Sequence, residues 1–270
     1  MHGLGNDFIV TDNRDERISE TQAATLAKKL CERRFSIGAD GLVLLSNSKI
    51  ADLRMRIFNP DGSEAQMCGN GLRCFAKYAY ENDIVRKSEF SVETGAGVRQ
   101  VWLIIQKEAV HAVRVDMGVP SWDRSALPML GEGTCINENL RVGKENYKVT
   151  CLSMGNPHCV IFVENVDAFR VERVGPKIEN HKVFPERTNV GFAQILSMSE
   201  LKLRVWERGA GETLACGTGA SAAAVAANRL RIASPRVKVY LRGGELQIDV
   251  ANRVLMNGPA EKVFEGKLFH

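Results

Sequence analysis

Short apolar segments recur along this chain, and their spacing predicts an α+β protein. Runs rich in β-branched and aromatic residues, bounded by Gly, Pro and Asn, are typical of strands. They occur at 8–10, 42–45, 53–58, 90–92, 98–105, 111–115, 159–163, 201–206, 237–241 and 246–250. Few of them are joined by helical patterns, which favours antiparallel or mixed sheets over a doubly wound parallel sheet.

Three segments repeat their apolar residues with the period of a helix. Residues 19–33 begin with Ser19-x-x-Gln22, a capping-box pattern, and include Cys31 in their apolar stripe. Residues 70–82 carry a second amphipathic pattern. Residues 219–230 are small and apolar nearly all round, so we expect that helix to be buried inside a sheet or barrel.

The chain also repeats itself. Segment 56–71 aligns without a gap with segment 204–219, and three further pairs of segments match in the same order, 5–6 with 155–156, 92–101 with 239–248, and 115–120 with 254–259. Such ordered self-similarity indicates a duplicated fold. We therefore predict two similar halves, 1–116 and 117–258, with residues 259–270 returning to the first half.

Composition excludes several functional classes. A formal charge of +4 over 270 residues, with scattered basic residues, does not predict nucleic-acid binding. No apolar run approaches the length of a membrane span, and the first residues lack the pattern of a signal peptide. The histidines show no metal-ligand spacing and no nucleotide-binding loop is present, so we expect neither a metal nor a cofactor.

The seven cysteines differ in their predicted settings. Their odd number and the lack of a C-x-x-C pair argue against a disulfide framework and favour a reducing cytoplasm. Cys68 and Cys216 each follow a strand and a glycine turn and start a helix in a Cys-Gly-x-Gly segment. Because a helix N-terminus favours an anion, we expect both thiols to have a pKa below the free value of about 8.5. We interpret the other five as small buried hydrophobic residues.

Two such thiols at equivalent places of a duplicated fold suggest a shared task. A pseudo-twofold relation would direct them at one ligand from opposite sides, so that a thiolate removes a proton while the opposing thiol delivers one. The two helix N-termini would hold a carboxylate that gains electron density. This interpretation predicts inversion at an acidic carbon.

Six motifs, in order along the whole chain, resemble those of the diaminopimelate epimerase family. They are His2-Gly-Leu-Gly-Asn-Asp-Phe8, Phe58-Asn-Pro-Asp-Gly-Ser-Glu64 leading into Cys68-Gly-Asn-Gly71, Ser153-Met-Gly-Asn-Pro-His158, Asn189-Val-Gly191, Glu207-Arg-Gly-Ala-Gly-Glu-Thr213, and Ala215-Cys-Gly-Thr-Gly219. The resemblance implies two pseudo-symmetric α+β halves, each a barrel-like, mostly antiparallel sheet around a central helix. It also implies interconversion of LL- and meso-diaminopimelate without pyridoxal phosphate or metal, in a cytoplasmic homodimer that serves lysine and peptidoglycan-precursor synthesis.

The resemblance carries over to individual residues. It implies Cys68 and Cys216 as the acid/base pair and the N–H groups of Gly69, Asn70, Gly217 and Thr218 as the holders of the reacting carboxylate. The implied substrate contacts are Asn6, Asn59, Asn156, Asn189, Glu207 and Arg208. His158 and Glu207 match positions that tune the thiols. One contact is not carried over, because some relatives have Gln where this chain has Gly41.

Three rival interpretations stay open on the sequence alone. One is another cofactor-independent enzyme of the same fold, such as a proline or hydroxyproline racemase or a phenazine-pathway isomerase. Another is a redox protein that cycles a disulfide between Cys68 and Cys216. A third is a non-catalytic anion-binding module, which would tolerate serine at both positions.

Overall fold

The structure is a computed structural model that describes residues 1–268. Within that range the chain divides into two compact units. Unit 1 comprises Met1–Asp116 and the segment that starts at Asn257, and unit 2 comprises Met117–Met256. The predicted return of residues 259–270 to the first half falls, at its last two positions, outside the described residues.

Unit 1 is built on strands and two helices. They are β1 (His2–Gly3), β2 (Asn6–Asp12), α1 (Glu20–Leu30), β3 (Gly41–Ser46), β4 (Leu53–Phe58), β5 (Glu64–Ala65), α2 (Gly69–Glu81), β6 (Glu89–Thr94), β7 (Gly97–Gln106) and β8 (Ala109–Gly118), whose end crosses the boundary. Helix α2 packs against β1, β2, β3, β4 and β7, so it is central to this unit.

Unit 2 follows the same plan after a 3-10 turn at Arg124–Ala126. Its elements are β9 (Cys135–Val142), β10 (Glu145–Ser153), β11 (Pro157–Phe162), α3 (Val171–Glu179), β12 (Asn189–Ser197), β13 (Glu200–Glu207), β14 (Gly211–Thr213), α4 (Gly217–Arg229), β15 (Arg236–Leu241), β16 (Gly244–Val250) and β17 (Val254–Gly258), which reaches the boundary. Helix α4 packs against β10, β11, β12, β13, β15 and β16. Across residues 1–268, none of the helices combines the length and apolarity needed to cross a bilayer.

The two units share one order of strand pairing. In unit 1, β2–β3 is parallel, β3–β4 antiparallel, β4–β6 parallel and β6–β7 antiparallel. In unit 2, β11–β12 is parallel, β12–β13 antiparallel, β13–β15 parallel and β15–β16 antiparallel. The predicted fold class, α+β with two pseudo-symmetric, mostly antiparallel sheets around central helices, is confirmed.

The repeated Arg and Glu of the aligned segments have the same structural role in each unit. Arg56 donates from Nε and Nη2 to the two oxygens of Glu64, both at 2.7 Å. Arg204 does the same to Glu212, at 2.7 and 2.9 Å. Each pair ties a long strand (β4 or β13) to the short strand after its turn (β5 or β14), which precedes the cysteine.

The central helices are buried with very different side chains. Helix α2 buries large residues, among them Leu72, Arg73 and Phe75. Helix α4 buries a run of small residues, with six alanines, two glycines and Ser221 besides Val225. The prediction that 219–230 forms a buried helix within a sheet is confirmed, with the helix starting two residues earlier.

Several local predictions need correction. The capping box at Ser19 and Gln22 is present, but α1 ends at Leu30, so that Cys31 is its buried C-cap rather than part of its stripe. The pattern missed β9, β10 and β12, as well as α3, in which Gly175 and Pro176 interrupt the helical signal. Gly175 is required there, because a Cβ would lie 2.6 Å from Trp206 Cγ.

Candidate active site

Each of the two aligned cysteines is the N-cap of its central helix. Cys68 has extended backbone angles (φ −141°, ψ 118°) and its Sγ accepts from Gly71 N at 3.4 Å. Cys216 repeats this arrangement (φ −125°, ψ 111°), with Sγ accepting from Gly219 N at 3.4 Å. The prediction that both thiols sit at helix starts is confirmed, and a helical N–H donates to each sulfur.

The second glycine of each Cys-Gly-x-Gly segment leaves room for the sulfur. A Cβ on Gly219 would lie 3.1 Å from Val205 Cγ2 and 3.3 Å from Cys216 Sγ. A Cβ on Gly71 would lie 3.3 Å from Ile57 Cδ1. Glycine therefore lets the first helical turn approach the preceding strand closely enough to hydrogen-bond the thiol.

The first two helical positions after each cysteine are Gly69 and Asn70 in α2, and Gly217 and Thr218 in α4. Helical geometry gives the N–H groups of these positions no partner within the helix, and they carry its positive end. They are therefore suited to hold a carboxylate beside each sulfur.

Two asparagines and a buried arginine surround Cys68. The thiol lies 3.7 Å from Asn6 Oδ1, which also accepts from Asn70 Nδ2 at 3.1 Å. Arg73 is fully buried, donates from Nε to the Pro259 carbonyl at 2.9 Å, and interacts electrostatically with Cys68. Burial lowers the pKa of Arg73 to about 10, which leaves its positive charge in place at neutral pH.

Arg73 was missed by the sequence analysis. It stands within the amphipathic pattern of α2, one residue from Leu72, where an arginine is usually exposed. The signal that was available is its position four residues after Gly69, whose carbonyl oxygen accepts from Arg73 Nη1 at 3.5 Å. The positive charge favours a thiolate at Cys68.

Cys216 lies between groups with opposite effects. Burial raises the pKa of Cys216 well above its usual value, and the Glu207 carboxylate raises it further. The Thr218 hydroxyl, 3.5 Å from Sγ, and the Gly219 N–H lower it. The expected pKa below the free value is therefore wrong for Cys216, because burial and Glu207 outweigh the helix terminus.

Glu207 ends β13, and its orientation is fixed by Thr213 of the next strand. The Thr213 hydroxyl donates to Glu207 Oε1 at 2.5 Å. In the aligned segments Glu207 corresponds to Asn59, which donates from Nδ2 to Ser63 Oγ at 3.0 Å. The duplicated position thus carries a charge beside one cysteine and a neutral amide in the other unit.

Removing the charge of Glu207 should make Cys216 easier to ionise. We expect Glu207→Gln, in a Cys68→Ala background, to form the Cys216 thiolate at a lower pH, because the raising effect of the carboxylate is lost while burial remains. Ultraviolet thiolate absorbance measures this titration. Glu200→Gln, at the other end of β13, serves as the control and should leave it unchanged. An unchanged or higher titration point in Glu207→Gln would contradict the assignment.

His158 connects to Cys216 through two other side chains. Its Nε2 lies 3.0 Å from Asn156 Oδ1, and Asn156 Nδ2 donates to Thr218 Oγ1 at 3.3 Å. Burial, with a smaller effect of Arg208, lowers the pKa of His158 to about 3. The ring is therefore neutral at physiological pH, and the structure brings it to Asn156 rather than directly to a sulfur of unit 2.

This buried histidine should make the protein less stable in acid. Because its folded pKa lies below the unfolded value, the unfolded chain binds an extra proton below about pH 6.5, and stability falls as the pH drops. We expect His158→Phe, the residue found at the aligned position 8, to remove up to about 1.4 kcal/mol per pH unit from this slope. Urea unfolding at several pH values measures it. Above pH 7 the free energies of unfolding of the wild type and His158→Phe should change in parallel with pH. Identical slopes of the two proteins below pH 6 would refute the prediction.

Asn189 and Arg208 lie together at the ends of β12 and β13. The side chain of Asn189 donates to the Pro157 carbonyl at 2.8 Å and accepts from Arg208 N at 2.9 Å. The Arg208 guanidinium is exposed and donates to the Glu186 carbonyl at 3.1 Å. Asn189 thus fixes the backbone of Arg208, while the charged end of Arg208 remains accessible to a ligand.

Gly41 begins β3 opposite Phe8 of β2. A Cβ at this position would lie 3.0 Å from the Phe58 carbonyl oxygen and 3.4 Å from the Phe8 ring. The tight fit explains why glycine stands at this position in the chain. Among the described residues, no group of three or more His, Cys, Asp or Glu side chains is arranged to hold a metal ion.

Comparison with known sequences decides the family. The family model described as Diaminopimelate epimerase matches residues 1–122 and 150–263. The chain belongs to the diaminopimelate epimerase family. Curated relatives named diaminopimelate epimerase include those of Moorella thermoacetica and Pelotomaculum thermopropionicum, each 52% identical, with 98% of this chain and 96% of the relative covered. The expected family and enzyme class, an isomerase, are confirmed.

Two solved structures that carry other names share this fold. A hydroxyproline epimerase from Agrobacterium vitis superposes with a TM-score of 0.69 at 14% identity, covering 95% of this chain and 86% of that one. A phenazine biosynthesis protein from Bacillus anthracis gives 0.67 at 17% identity, covering 96% and 91%. These likenesses show the fold alone. The family assignment rests on the sequence, and it removes the rival interpretation of another enzyme of this fold.

Proposed function

We propose that this protein interconverts LL- and meso-diaminopimelate by two-base proton transfer between Cys68 and Cys216. The observation that carries the proposal is the repeated N-cap geometry, in which each thiol accepts one helical N–H at 3.4 Å. Membership of the family indicates diaminopimelate as the substrate. Neither thiol alone accounts for a reversible inversion, whereas two equivalent ones do.

The chemistry requires one thiolate and one thiol at the start. The thiolate takes the α-proton and becomes S–H, the electron pair is delocalised into the α-carboxylate, and the other thiol gives its proton to the opposite face of the carbon. The N–H groups at the helix starts stabilise the carboxylate as it gains electron density. The raised pKa of Cys216 supports its starting as the thiol in the substrate-free state.

The remaining residues of the site are proposed to bind the far end of the substrate or to tune the thiols. The exposed guanidinium of Arg208 suits the second carboxylate, and Glu207 suits the ammonium group as well as tuning Cys216. The neutral amides of Asn6, Asn59, Asn156 and Asn189 can add directional hydrogen bonds. His158 is proposed to influence Cys216 through Asn156.

The test is to incubate the reduced protein with LL-diaminopimelate in heavy water. We expect meso product that carries deuterium at one α-carbon, because the delivered proton comes from a thiol that exchanges with solvent. Mass spectrometry and chiral chromatography measure both. Product without deuterium, or no product, would sink the proposal. The redox interpretation predicts instead a cycling disulfide without deuterium, and the anion-binding interpretation predicts no turnover at all.

Compartment and assembly are also proposed rather than observed. All seven cysteines are free thiols, which fits a reducing cytoplasm. A homodimer is inferred from the family resemblance. Sedimentation at several concentrations measures the assembly state, and a monomer at every concentration would contradict the dimer.

A further inference from the structure

Asp40 lies beside the Cys68 site and takes no part in the steps proposed above. One carboxylate oxygen, Oδ2, accepts from Asn6 Nδ2 at 2.8 Å and from Asp7 N at 3.1 Å. The other, Oδ1, accepts from Arg33 Nη2 at 2.8 Å. Both oxygens of Asp40 are therefore occupied by donors.

Several hydrogen bonds hold the Asp40 carboxylate in place, although 42% of its side chain is exposed to solvent. Its N–H donates to the backbone oxygen of Asp7 at 2.9 Å and to Asp7 Oδ1 at 3.1 Å. Arg33 bridges the pair, since its guanidinium also contacts both carboxylate oxygens of Asp7, at 3.0 and 2.6 Å. Reciprocal bonds and a shared arginine hold the carboxylate in one place, which a single exposed contact would not do.

This carboxylate dictates the orientation of the Asn6 amide. A carboxylate only accepts hydrogen bonds, so Asn6 must turn its NH2 group toward Asp40. Its carbonyl oxygen then faces the other way, where it accepts from Asn70 Nδ2 at 3.1 Å and lies 3.7 Å from Cys68 Sγ. The thiol thus meets an acceptor, which favours S–H over S⁻.

The equivalent asparagine of unit 2 has a different orientation. Asn156 aligns with Asn6, and its NH2 group, rather than its oxygen, faces the helix start by donating to Thr218 Oγ1. Its oxygen faces His158. The duplicated asparagines therefore offer opposite ends of the amide to the two helix N-termini, and Asp40 is the residue that determines this in unit 1.

We propose that Asp40 is a positioning residue for Cys68: it holds Asn6 with its carbonyl oxygen toward the sulfur and so limits how readily Cys68 loses its proton. The inference deepens the proposed function and rests on it for the role of Cys68 in proton transfer. It adds a carboxylate outside the substrate contacts to the groups that decide where the proton resides.

The test compares two carboxylates of one network. Asp40→Ala removes the partner of the Asn6 amide, whereas Asp7→Ala removes the other carboxylate bound by Arg33 and leaves the contact between Asp40 and Asn6 intact. The primary measurement is the rate at which iodoacetamide alkylates Cys68 at one fixed pH, read from the peptide by mass spectrometry. Arg73 and the Gly71 N–H, which also act on this sulfur, are unchanged in both variants.

In Asp40→Ala the released amide can turn its NH2 group to the sulfur and stabilise the thiolate. We expect alkylation about two- to tenfold faster than in the wild type, and kcat/KM for epimerisation about tenfold lower because Asn6 is misplaced. Asp7→Ala should change the alkylation rate less than twofold. In an Asn6→Ala background, Asp40→Ala should have no further effect on either quantity, since it acts through that amide.

Three outcomes would overturn the inference. They are an unchanged alkylation rate in Asp40→Ala, an equal effect in Asp7→Ala, and a full effect of Asp40→Ala in the Asn6→Ala background. If Asp40→Ala does not fold, Asn6→Ala alone still tests the acceptor and should also speed alkylation. Alkylation needs no turnover, so a wild type that failed in heavy water would refute the proposed function while leaving this measurement valid.

Discussion

Replacing Cys68 or Cys216 with alanine should abolish epimerisation while the fold survives. Each variant lacks one of the two proton carriers, and the loss of a positioned acid or base costs about a hundred- to ten-thousandfold in rate. Because inversion needs both carriers, we expect each single variant to reach the detection limit. Chiral analysis of the product measures the rate, and circular dichroism with urea unfolding measures the fold.

The other cysteines supply the control for this prediction. Cys31→Ala changes a buried thiol that caps the far end of α1. It should lose some stability but keep its kcat. Deuterium exchange without net inversion in one cysteine variant would assign the remaining thiol to one stereoisomer. Full activity in either alanine variant would refute the two-base mechanism.

Removing Arg204 should be the most damaging single change to stability among the charged pairs described above. Its guanidinium is only 12% exposed, and its partner Glu212 is 6% exposed. Arg204 also donates from Nη1 to the carbonyl groups of Val166 and Phe169, at 3.1 and 2.9 Å. Arg204→Ala removes the two-pronged contact from a buried carboxylate, which keeps only its ion pair with Arg242 at 3.2 Å, and it removes the donor to two carbonyl groups. We therefore expect a loss of about 3 kcal/mol in the free energy of unfolding.

The duplicated pair provides the matched control. Arg56 forms the same fork with Glu64, but the Glu64 side chain is 38% exposed and can be hydrated once the arginine is gone. Arg56→Ala should therefore cost no more than about 1–2 kcal/mol. Urea unfolding of both variants measures the difference. Equal losses would show that burial of the glutamate does not decide the cost.

The same ion pair predicts a pH dependence of stability. Hydrogen bonds from Arg204 lower the pKa of Glu212 in the folded protein. The stabilisation is therefore complete above the unfolded glutamate value of about 4.3 and is lost as the pH falls through the lowered folded pKa. In Arg204→Ala this part of the acid sensitivity should become smaller, with the remainder due to the ion pair between Arg242 and Glu212.

The repeated strand order and the two capping cysteines were predictable because both are local and periodic. The segments around Cys68 and Cys216 have identical residues at identical spacing, which reveals the repeat. A glycine pattern before an amphipathic run indicates a helix start in either segment. The capping box at Ser19 is of the same kind. These features depend on neighbours within a few residues, which is the range that a sequence pattern describes.

The electrostatics of the thiols were not predictable, because they depend on contacts between distant segments. The raised pKa of Cys216 comes first from its burial and then from Glu207 at the end of β13, an effect that the family resemblance implied but that no local pattern indicated. Asp40 acts on Asn6 across 34 positions. Helix α3 was missed for a related reason, since Gly175 is chosen to fit Trp206 and not to favour a helix.

The two central helices differ in the size of their buried side chains, and this difference limits whether they can be exchanged. Helix α4 presents mostly alanine and glycine to the strands around it, whereas α2 presents leucine, phenylalanine and a buried arginine. A chimera that carries the α2 sequence in place of α4 would overfill its surroundings, and the reverse exchange would leave cavities. The two halves are therefore not interchangeable, because each central helix fits the strands of its own unit.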